Sequence, residues 1–589
     1  MPAGLTTSFA VSIAENELPR QVSDLIRRVT VERSWSAADR AIIEFDGDDL
    51  AFPGKVTDQL SVDLVRDGAT KSPALFDGIV VGVRLRWNAG RARVVVEALD
   101  GRHRLTRKIA PTTYEDVTLD TVVDRIAKIH QLTSESNLGS TRYPHFIVAD
   151  SHFAVLQQIA RRTGTVWTLD GTKIVFTKPD TSGAPVATVR AGGESAANDL
   201  EAIDLDLRFS PVERAAKVSV NSWDQVQGKA IIGSGTPAKV QSIGLDATEL
   251  KAADAVAWAG GAFDVKDANE MAAGIGRRLR AAEVTGSGTV EANQLLIPGA
   301  VISIEGVGTE FAGKYVLSGV THRLGDLDES ATTEFRIGPD DSSLDQLLGG
   351  DARVGGRAPA GVTIGIVTET NDPTSKGRVR VKLPMISDQL QTGWIRLASL
   401  GGGKDRGIVF VPEVNDEVLV AFEHGELNRP YVIGTLWNDP GTAFQDVTKS
   451  NATQERTLVS KLGNKIRFVD IGESDKTSGV RVELGDNKTS IFLGYKEVTI
   501  QTQGRPLEIK NGQASFKMDN DDITITANNI TIDAKQKLDV KSGQDTNVKA
   551  GTNAKIEASI QLGVKGGAGG ATVESSGITA VKGSMVQVN

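Results

Sequence analysis

The sequence predicts a mainly β chain with some helix: a long first part of mixed strands and helices, a small closed barrel, and a C-terminal stack of short strands. Three observations lead there. Alternating apolar segments between Gly and Asp turns fill residues 1–350, six short strands crowd residues 361–440, and an eight-residue apolar register runs through the last part of the chain. Gly reaches 62 of 589 residues while aromatics make up only 5%, a composition suited to many turns and thin repeated layers.

In residues 1–350, alternations such as Ala41 to Phe45 and Arg93 to Glu97 read as strands. Three helices interrupt them. Thr121 to Leu132 places Val122, Ile126 and Ile129 on one face, Ser151 to Arg162 groups Phe153, Leu156, Ile159 and Ala160, and Asp267 to Glu283 aligns Met271, Ile275 and Leu279. Asp150 or Ser151 supplies the cap of the second helix, and Gly164 stands just past its end. These apolar stripes are expected to be core.

The stretch Gly349 to Pro359 is polar, Gly-rich and without periodicity, so a linker is expected at residues 351–360. The following barrel is expected at 361–440, from the strands Thr363 to Glu369, Arg378 to Leu383, Trp394 to Ala398, Gly407 to Val411, Glu417 to Phe422 and Tyr431 to Leu436.

Residues 441–520 lose helical periodicity and read as a β neck, and residues 521–589 as a slim rod. The triplets Ile530/Ile532/Ala534, Leu538/Val540/Ser542, Thr546/Val548/Ala550, Ala554/Ile556/Ala558 and Leu562/Val564/Gly566 start eight residues apart, with a spacing of two inside each. That is the inward face of short strands stacked so that each repeat buries its apolar side only against neighbours. No aromatic follows Phe516, so the interior is expected to be too narrow for a ring.

Composition excludes several kinds of chemistry. Cysteine is absent, which removes disulfides, thiolate nucleophiles, Cys-containing zinc sites and iron–sulfur clusters. The net charge of −9 argues against a cationic nucleic-acid or membrane-surface protein. No apolar run approaches a membrane span, and the N-terminus, from Met1 to Leu5, has no charged segment followed by an apolar core.

From here the residues resemble a known family. Gly365-Ile366-Val367 through Asn371-Asp372-Pro373, then Gly377 to Pro384, looks like the opening of the OB-fold domain of VgrG-type and phage tail hub-and-needle spike proteins of contractile injection systems. Gly393 to Leu397, Phe410 to Phe422 and Asn428 to Gly434 continue the match in order and spacing. Upstream, Tyr114 to Thr118, the Phe153 to Gly164 helix, Gly308 to Val320, Thr321-His322-Arg323 and Thr332 to Phe335 look like the family's hub.

The resemblance implies a homotrimer: a hub of β-barrel-like subdomains over residues 1–350, an OB-fold collar, and an intertwined triple-stranded β-helix as needle. Each stacked strand of a lone chain would leave its edge N–H and C=O groups unpaired, whereas three interwound chains pair them. One octad per step of ~4.8 Å makes the shaft on the order of 35 Å long. The needle core is then expected at Ile530, Ile532, Leu538, Val540, Val548, Ile556, Leu562 and Val564.

The implied role is mechanical and non-enzymatic: a spike capping the inner tube of a contractile machine and driven through a target envelope. Its implied partners are itself, inner-tube and baseplate proteins at the hub, a PAAR-type tip protein, effector cargo, and the target membrane in passing. Tip-protein binding is expected at Ser584, Met585, Val586, Gln587, Val588 and Asn589. Assembly is expected in the cytoplasm, with release or delivery outside the cell. The short C-terminus favours an extracellular, phage-tail-like particle over a type VI secretion spike.

No catalytic, cofactor or metal residue is expected. The six histidines, His103, His130, His145, His152, His322 and His424, form no HExxH, and His424-Gly425-Glu426 lacks the cysteines of a deaminase. His322 reads as a structural polar residue in a strand. Gly308 to Lys314 has P-loop glycine spacing, but Tyr315 replaces the magnesium-binding Ser/Thr and the segment reads as a β-turn that opens no helix. Gly401 to Lys404 reads as a loop, and the pairs Asp48/Asp49 and Asp521/Asp522 as solvated surface.

Two alternatives belong to other classes. A nucleic-acid-binding OB fold would use the basic strand Arg378/Arg380/Lys382, but Trp394, Phe410 and Trp437 stand singly where a stacking platform is needed. A spike carrying a peptidoglycan hydrolase would need a domain after the barrel or the needle. Only Gly441 to Thr453 separates barrel from neck, and the chain is still alternating at Met585 to Asn589.

Overall fold

The computed structural model describes residues 7–47, 54–66, 74–88, 91–107, 110–192, 199–212, 214–224, 227–246, 254–257, 261–325, 331–339, 361–404, 406–438, 448–449 and 452–588. The expected linker at 351–360, the pair Asp48/Asp49 and Asn589 lie outside them. The chain forms two units, Met1–Ala443 and Phe444–Asn589.

The first unit is built on a fourteen-stranded sheet. Strands from the first hundred residues run in the order Asn16–Glu17, Thr7–Ile13, Gln59–Arg66, Phe76–Asn88, Arg91–Leu99, Arg40–Asp46, Ile26–Ser34. Their inward positions, including Val29, Val31, Ile43, Phe45 and Val96, make one core. Ile26–Ser34 pairs with Gly313–Leu324, the strand that joins the two halves. From it the order continues Val301–Glu305, Ala187–Arg190, Leu200–Phe209, Val284–Glu291, Thr332–Ile337. Thr332–Ile337 pairs back with Gly313–Leu324 and closes a barrel around Ile302, Tyr315, Leu317 and Phe335.

The three expected helices are present, at Leu119–Ile129, His152–Thr163 and Val265–Ala281. Each starts on a side chain that accepts a free backbone N–H: Thr118 from Thr121, Ser151 from Ala154, Asp264 from Asp267. Val122 and Ile126 are buried, but Ile129 is exposed because the first helix ends there. Gly164 closes the second helix at φ +62°, and a Cβ on it would come within 2.4 Å of Gly274 in the third. Only glycine allows that cap and that helix contact together.

Residues 362–435 form a five-stranded sheet in the order Arg380–Lys382, Val362–Glu369, Glu417–Phe422, Pro430–Thr435, Arg396–Leu397. Its core of Val367, Val381, Leu390, Ile395, Val418 and Val420 also takes in Ile147 from the preceding region. The expected strand Gly407 to Val411 does not form. Val409 is 83% exposed, and the backbone there bonds to the adjacent loop, Ile408 N–H donating to the Leu400 carbonyl. The left-handed φ values at Gly401 and Gly407 turn this segment back on itself before it reaches a neighbouring strand.

The second unit opens with two meanders. Glu455–Val459, Lys465–Val469, Gly479–Glu483, Ser490–Gly494 and Val498–Gln501 make a five-stranded antiparallel sheet, and Leu507–Asn511, Ala514–Asp519 and Asp522–Thr526 a three-stranded one. Beyond them the chain is extended, with bends at 535–536, 543–544, 551–552 and 559–560. These repeat every eight residues, between the apolar triplets. A small turn closed by Gly567 and Gly570 then inserts one residue, after which bends at 576–577 and 584–585 resume the interval.

Candidate functional site: the open faces of the second unit

Strand alternation sorts the five-stranded neck sheet into two unlike faces. Leu458, Ile466, Val482, Ile491 and Ile500 stand opposite one another across all five strands. Phe468, Val480, Leu493 and Val498 form the next row. The first row is 40–51% exposed and Val498 is 66% exposed, so this apolar face has no cover among the described residues.

The opposite face is self-sufficient. Arg467 reaches Glu455 at 2.6 Å and Glu483 at 3.3 Å, and Arg481 lies over the Phe492 ring at 3.9 Å. The bond to Arg467 holds the Glu455 carboxyl below its ordinary range. The three-stranded sheet repeats the division. Ile509, Phe516 and Ile525 share one row, while Glu508, Lys517 and Thr524 lie on the other face.

Each residue expected in the needle core lies on an extended segment, and all of them are exposed, from 55% at Ile530 to 86% at Val548. The chain repeats them at fixed intervals along its length and does not bring them together. At the expected tip, Ser584 and Met585 form the last bend and Met585, Val586 and Val588 are exposed. Leaving such aliphatic side chains in water forgoes about 1.5–3 kcal/mol each.

A second constellation, absent from the sequence reading, joins the barrel at 362–435 to the region before it. Arg429, 2% exposed, bonds Glu423 at 2.6 Å and donates to the carbonyls of Ala262 at 2.9 Å and Trp223 at 2.7 Å. The segment Gly261 to Phe263 is gripped from its other side. Arg162 donates to the Gly261 carbonyl and pairs with Asp267 at 2.6 Å, and the same carboxylate takes the Phe263 N–H and the Tyr143 hydroxyl. Burial pushes Glu426, beside Gly261, above its ordinary range. Only tertiary structure assembles this joint, so no local pattern announces it.

Other candidates are accounted for by geometry. Arg378 pairs with Asp372 at 2.8 Å, Arg380 with Glu115 at 2.7 Å and Lys382 with Asp388 at 3.9 Å, so the basic strand is neutralised internally. The Arg378 bonds hold the Asp372 carboxyl far below its usual range. Gly308 to Phe311 forms a single helical turn, where the sequence suggested a β-turn, and leads into Gly313–Leu324. Asp522 opens a strand, with Asp519 opposite it.

His322 is fully buried against the Thr333 hydroxyl at 2.8 Å, and burial pulls its pKa down to about 3. His130 and His152 meet at 2.8 Å, and burial lowers His152 to about 4. Among the described residues, no three His, Asp or Glu side chains converge as a metal site would require, and no helix is long and apolar enough to cross a membrane.

The chain thus combines a helix-bearing double β unit, a small five-stranded barrel and a run of repeating open faces. Residues 363–437 match the family model described as the type VI secretion system/phage-baseplate injector OB domain, and the curated relatives that the chain resembles are type VI secretion system spike proteins. A further model, described as the Alg8 N-terminal domain, matches residues 67–326.

Among curated proteins, the chain is 28% identical over 120 residues to the type VI secretion system spike protein VgrG1a of Pseudomonas aeruginosa, covering 18% of each chain. It is 26% identical over 139 residues to VgrG2a of the same organism, covering 22% of this chain and 16% of the relative. These matches therefore span well under two thirds of the relatives' length. Among solved structures, it is similar to the E. coli c3393 protein, a component of the type VI secretion system, at 17% identity and TM-score 0.45 over 72% of this chain and 99% of that one. A chain of the lidless PdpA-VgrG complex is similar at 10% identity and TM-score 0.43 over 89% of this chain and 98% of that one.

Proposed function

We propose that the chain works as a homotrimeric puncturing spike, with residues 1–350 as hub, 361–440 as collar, 441–520 as neck and 521–589 as needle, the hub being separated from the collar by the 351–360 linker. The observation that carries this reading is the second unit's open face: one apolar row across five neck strands and a second across four, then apolar triplets at octad spacing, uncovered among the described residues. Three copies turning these faces inward bury the rows and triplets on a common axis. The same arrangement pairs the backbone edges that a lone extended chain leaves open.

Function follows from stiffness. Continuous pairing along a narrow dry core resists bending, as stacked β structure does, and the ion-paired neck face remains toward water. The Arg429 joint links collar to hub through buried charge-assisted bonds, so thrust on the hub passes to the collar without slack. The hub caps the inner tube of a contractile machine and meets its baseplate, and sheath contraction drives the needle through a target envelope. Effector cargo travels with it, and Ser584 to Asn589 receive a PAAR-type tip protein. The particle assembles in the cytoplasm and acts outside the producing cell as an extracellular, phage-tail-like machine.

Contractile particles carrying Val540→Asp and Val548→Asp should fail to breach target envelopes, because a charge at either position enters the needle axis. Undiminished breaching by such particles would refute the puncturing role. Removal of residues 583–589 should abolish tip-protein capture; full capture would refute the tip assignment.

A further inference from the structure

Among the described residues, each half of the large sheet leaves one strand edge open. Phe76–Asn88 pairs on one side with Arg91–Leu99, but on the other Gln59–Arg66 covers only Phe76 to Ile79. From Val81 to Asn88 no described strand takes that edge. Leu200–Phe209 pairs on one side with Val284–Glu291, and on the other Ala187–Arg190 covers only Leu200 and Glu201. Among the described residues, Ala202 to Phe209 therefore has no strand on that side either. Long open edges with apolar side chains are templates for another strand.

The two edges are complementary on both faces. Arg84 and Arg86 project from one face of the first strand, and Asp204 and Asp206, at the same spacing of two, project from one face of the second. None of the four has a hydrogen-bond or ion-pair partner among the described residues. Arg86 also stands directly opposite Arg93, which is already paired with Asp46 at 2.9 Å. Like charges placed so are destabilising until an outside carboxylate joins them.

On the other face, Val83, Leu85 and Trp87 are 41%, 67% and 67% exposed. Their counterparts Leu205, Leu207 and Phe209 pack partly against the closed barrel's core. Aligning the arginines with the aspartates sets Leu85 opposite Leu205, whichever way the strands run.

Sheet order keeps the two edges apart within one copy. We propose that the open edge of Phe76–Asn88 in one copy adds to the open edge of Leu200–Phe209 in the next, a head-to-tail joint that three copies close into a ring of hub sheets. The proposal rests on the trimeric reading above and supplies its contact in the hub, independently of neck and needle.

The chain has no cysteine, so Leu85→Cys with Leu205→Cys introduces its only thiols. Directly opposite residues in a sheet stand about 4.5–5.5 Å apart at Cα, within disulfide reach. Mild oxidation of the full-length double variant should give a covalent species at three times the chain mass, and neither single variant should. A native trimer that yields no cross-link overturns this joint and leaves the trimer standing. A ladder beyond three copies overturns ring closure, and a folded species of one chain mass overturns both.

Adding Arg84→Glu and Arg86→Glu to the double-cysteine chain should cut the cross-linked yield about tenfold, by opposing four like charges across the joint. Further addition of Asp204→Arg and Asp206→Arg should restore it. Failure to recover contradicts the charge pairing.

Discussion

The two units use the same alternation of apolar and polar residues and obtain opposite results. In Met1–Ala443 the inward positions meet others of their own chain and close five apolar clusters, with Val29, Ile43, Leu156, Phe335 and Val418 fully buried among them. In Phe444–Asn589 only Val469, Ser478 and Phe492 are buried among the described residues. The difference lies in how far the chain returns upon itself. Gly313–Leu324 pairs with Ile26–Ser34 across almost the whole first unit, whereas each neck strand pairs only with its sequence neighbours and the octads with none. Under the function proposed above, the second unit takes its missing core from other copies.

The contrast can be broken most severely in the neck. Ile466→Asp with Ile491→Asp places two carboxylates in the apolar row, on either side of Val482. Each copy would lose about 1.5–3 kcal/mol per aliphatic side chain and would also bury an unpaired charge. Light scattering should show trimers lost, and the strand signal of the second unit should vanish while the first unit melts normally. Intact trimers would show that this row faces water.

The converse substitution, Phe335→Ala, empties part of a core that one chain closes alone. It should cost the first unit about 3–5 kcal/mol, read by chemical denaturation, without changing the native mass.

Acid separates the units next. Burial lowers His145 to about 4 and His322 to about 3 from an ordinary 6.5. Between those limits the unfolded chain takes up protons before the folded one does. Stability therefore falls as pH drops below 6.5, by about 1.4 kcal/mol per pH unit for each such histidine, and is indifferent above it. The last histidine in the chain is His424. Between pH 7 and pH 5 the first unit's melting temperature should fall while that of the second holds.

The smallest effect is expected from surface pairs on the extended C-terminal segment. Lys537 and Asp539, at 2.8 Å with side chains 75% and 49% exposed, gain little in water. Lys537→Ala should change stability by less than about 1 kcal/mol, as measured by thermal unfolding.

What could be read in advance follows the range of the interactions. The helix at His152–Thr163 announces itself through its apolar stripe and the flanking Ser151 and Gly164, all within one short segment. The octads were legible because the repeat is local, and the neck rows could have been found from the alternation in Ile491/Leu493 and Val498/Ile500. The sheet order was not legible, since Gly313–Leu324 chooses partners on both sides of a long insertion.

Alternation misled at Gly407 to Val411, where left-handed glycines withhold a partner from an otherwise strand-like run. Nothing local marks Arg429 as buried, because the Trp223 and Ala262 carbonyls that hold it come from distant segments.

The native mass of the full-length chain, measured by light scattering on soluble folded protein, bears most directly on whether the second unit borrows its core from other copies. A value of three times the 62.5 kDa chain mass is predicted. A folded species at 62.5 kDa with its neck strands intact would contradict it.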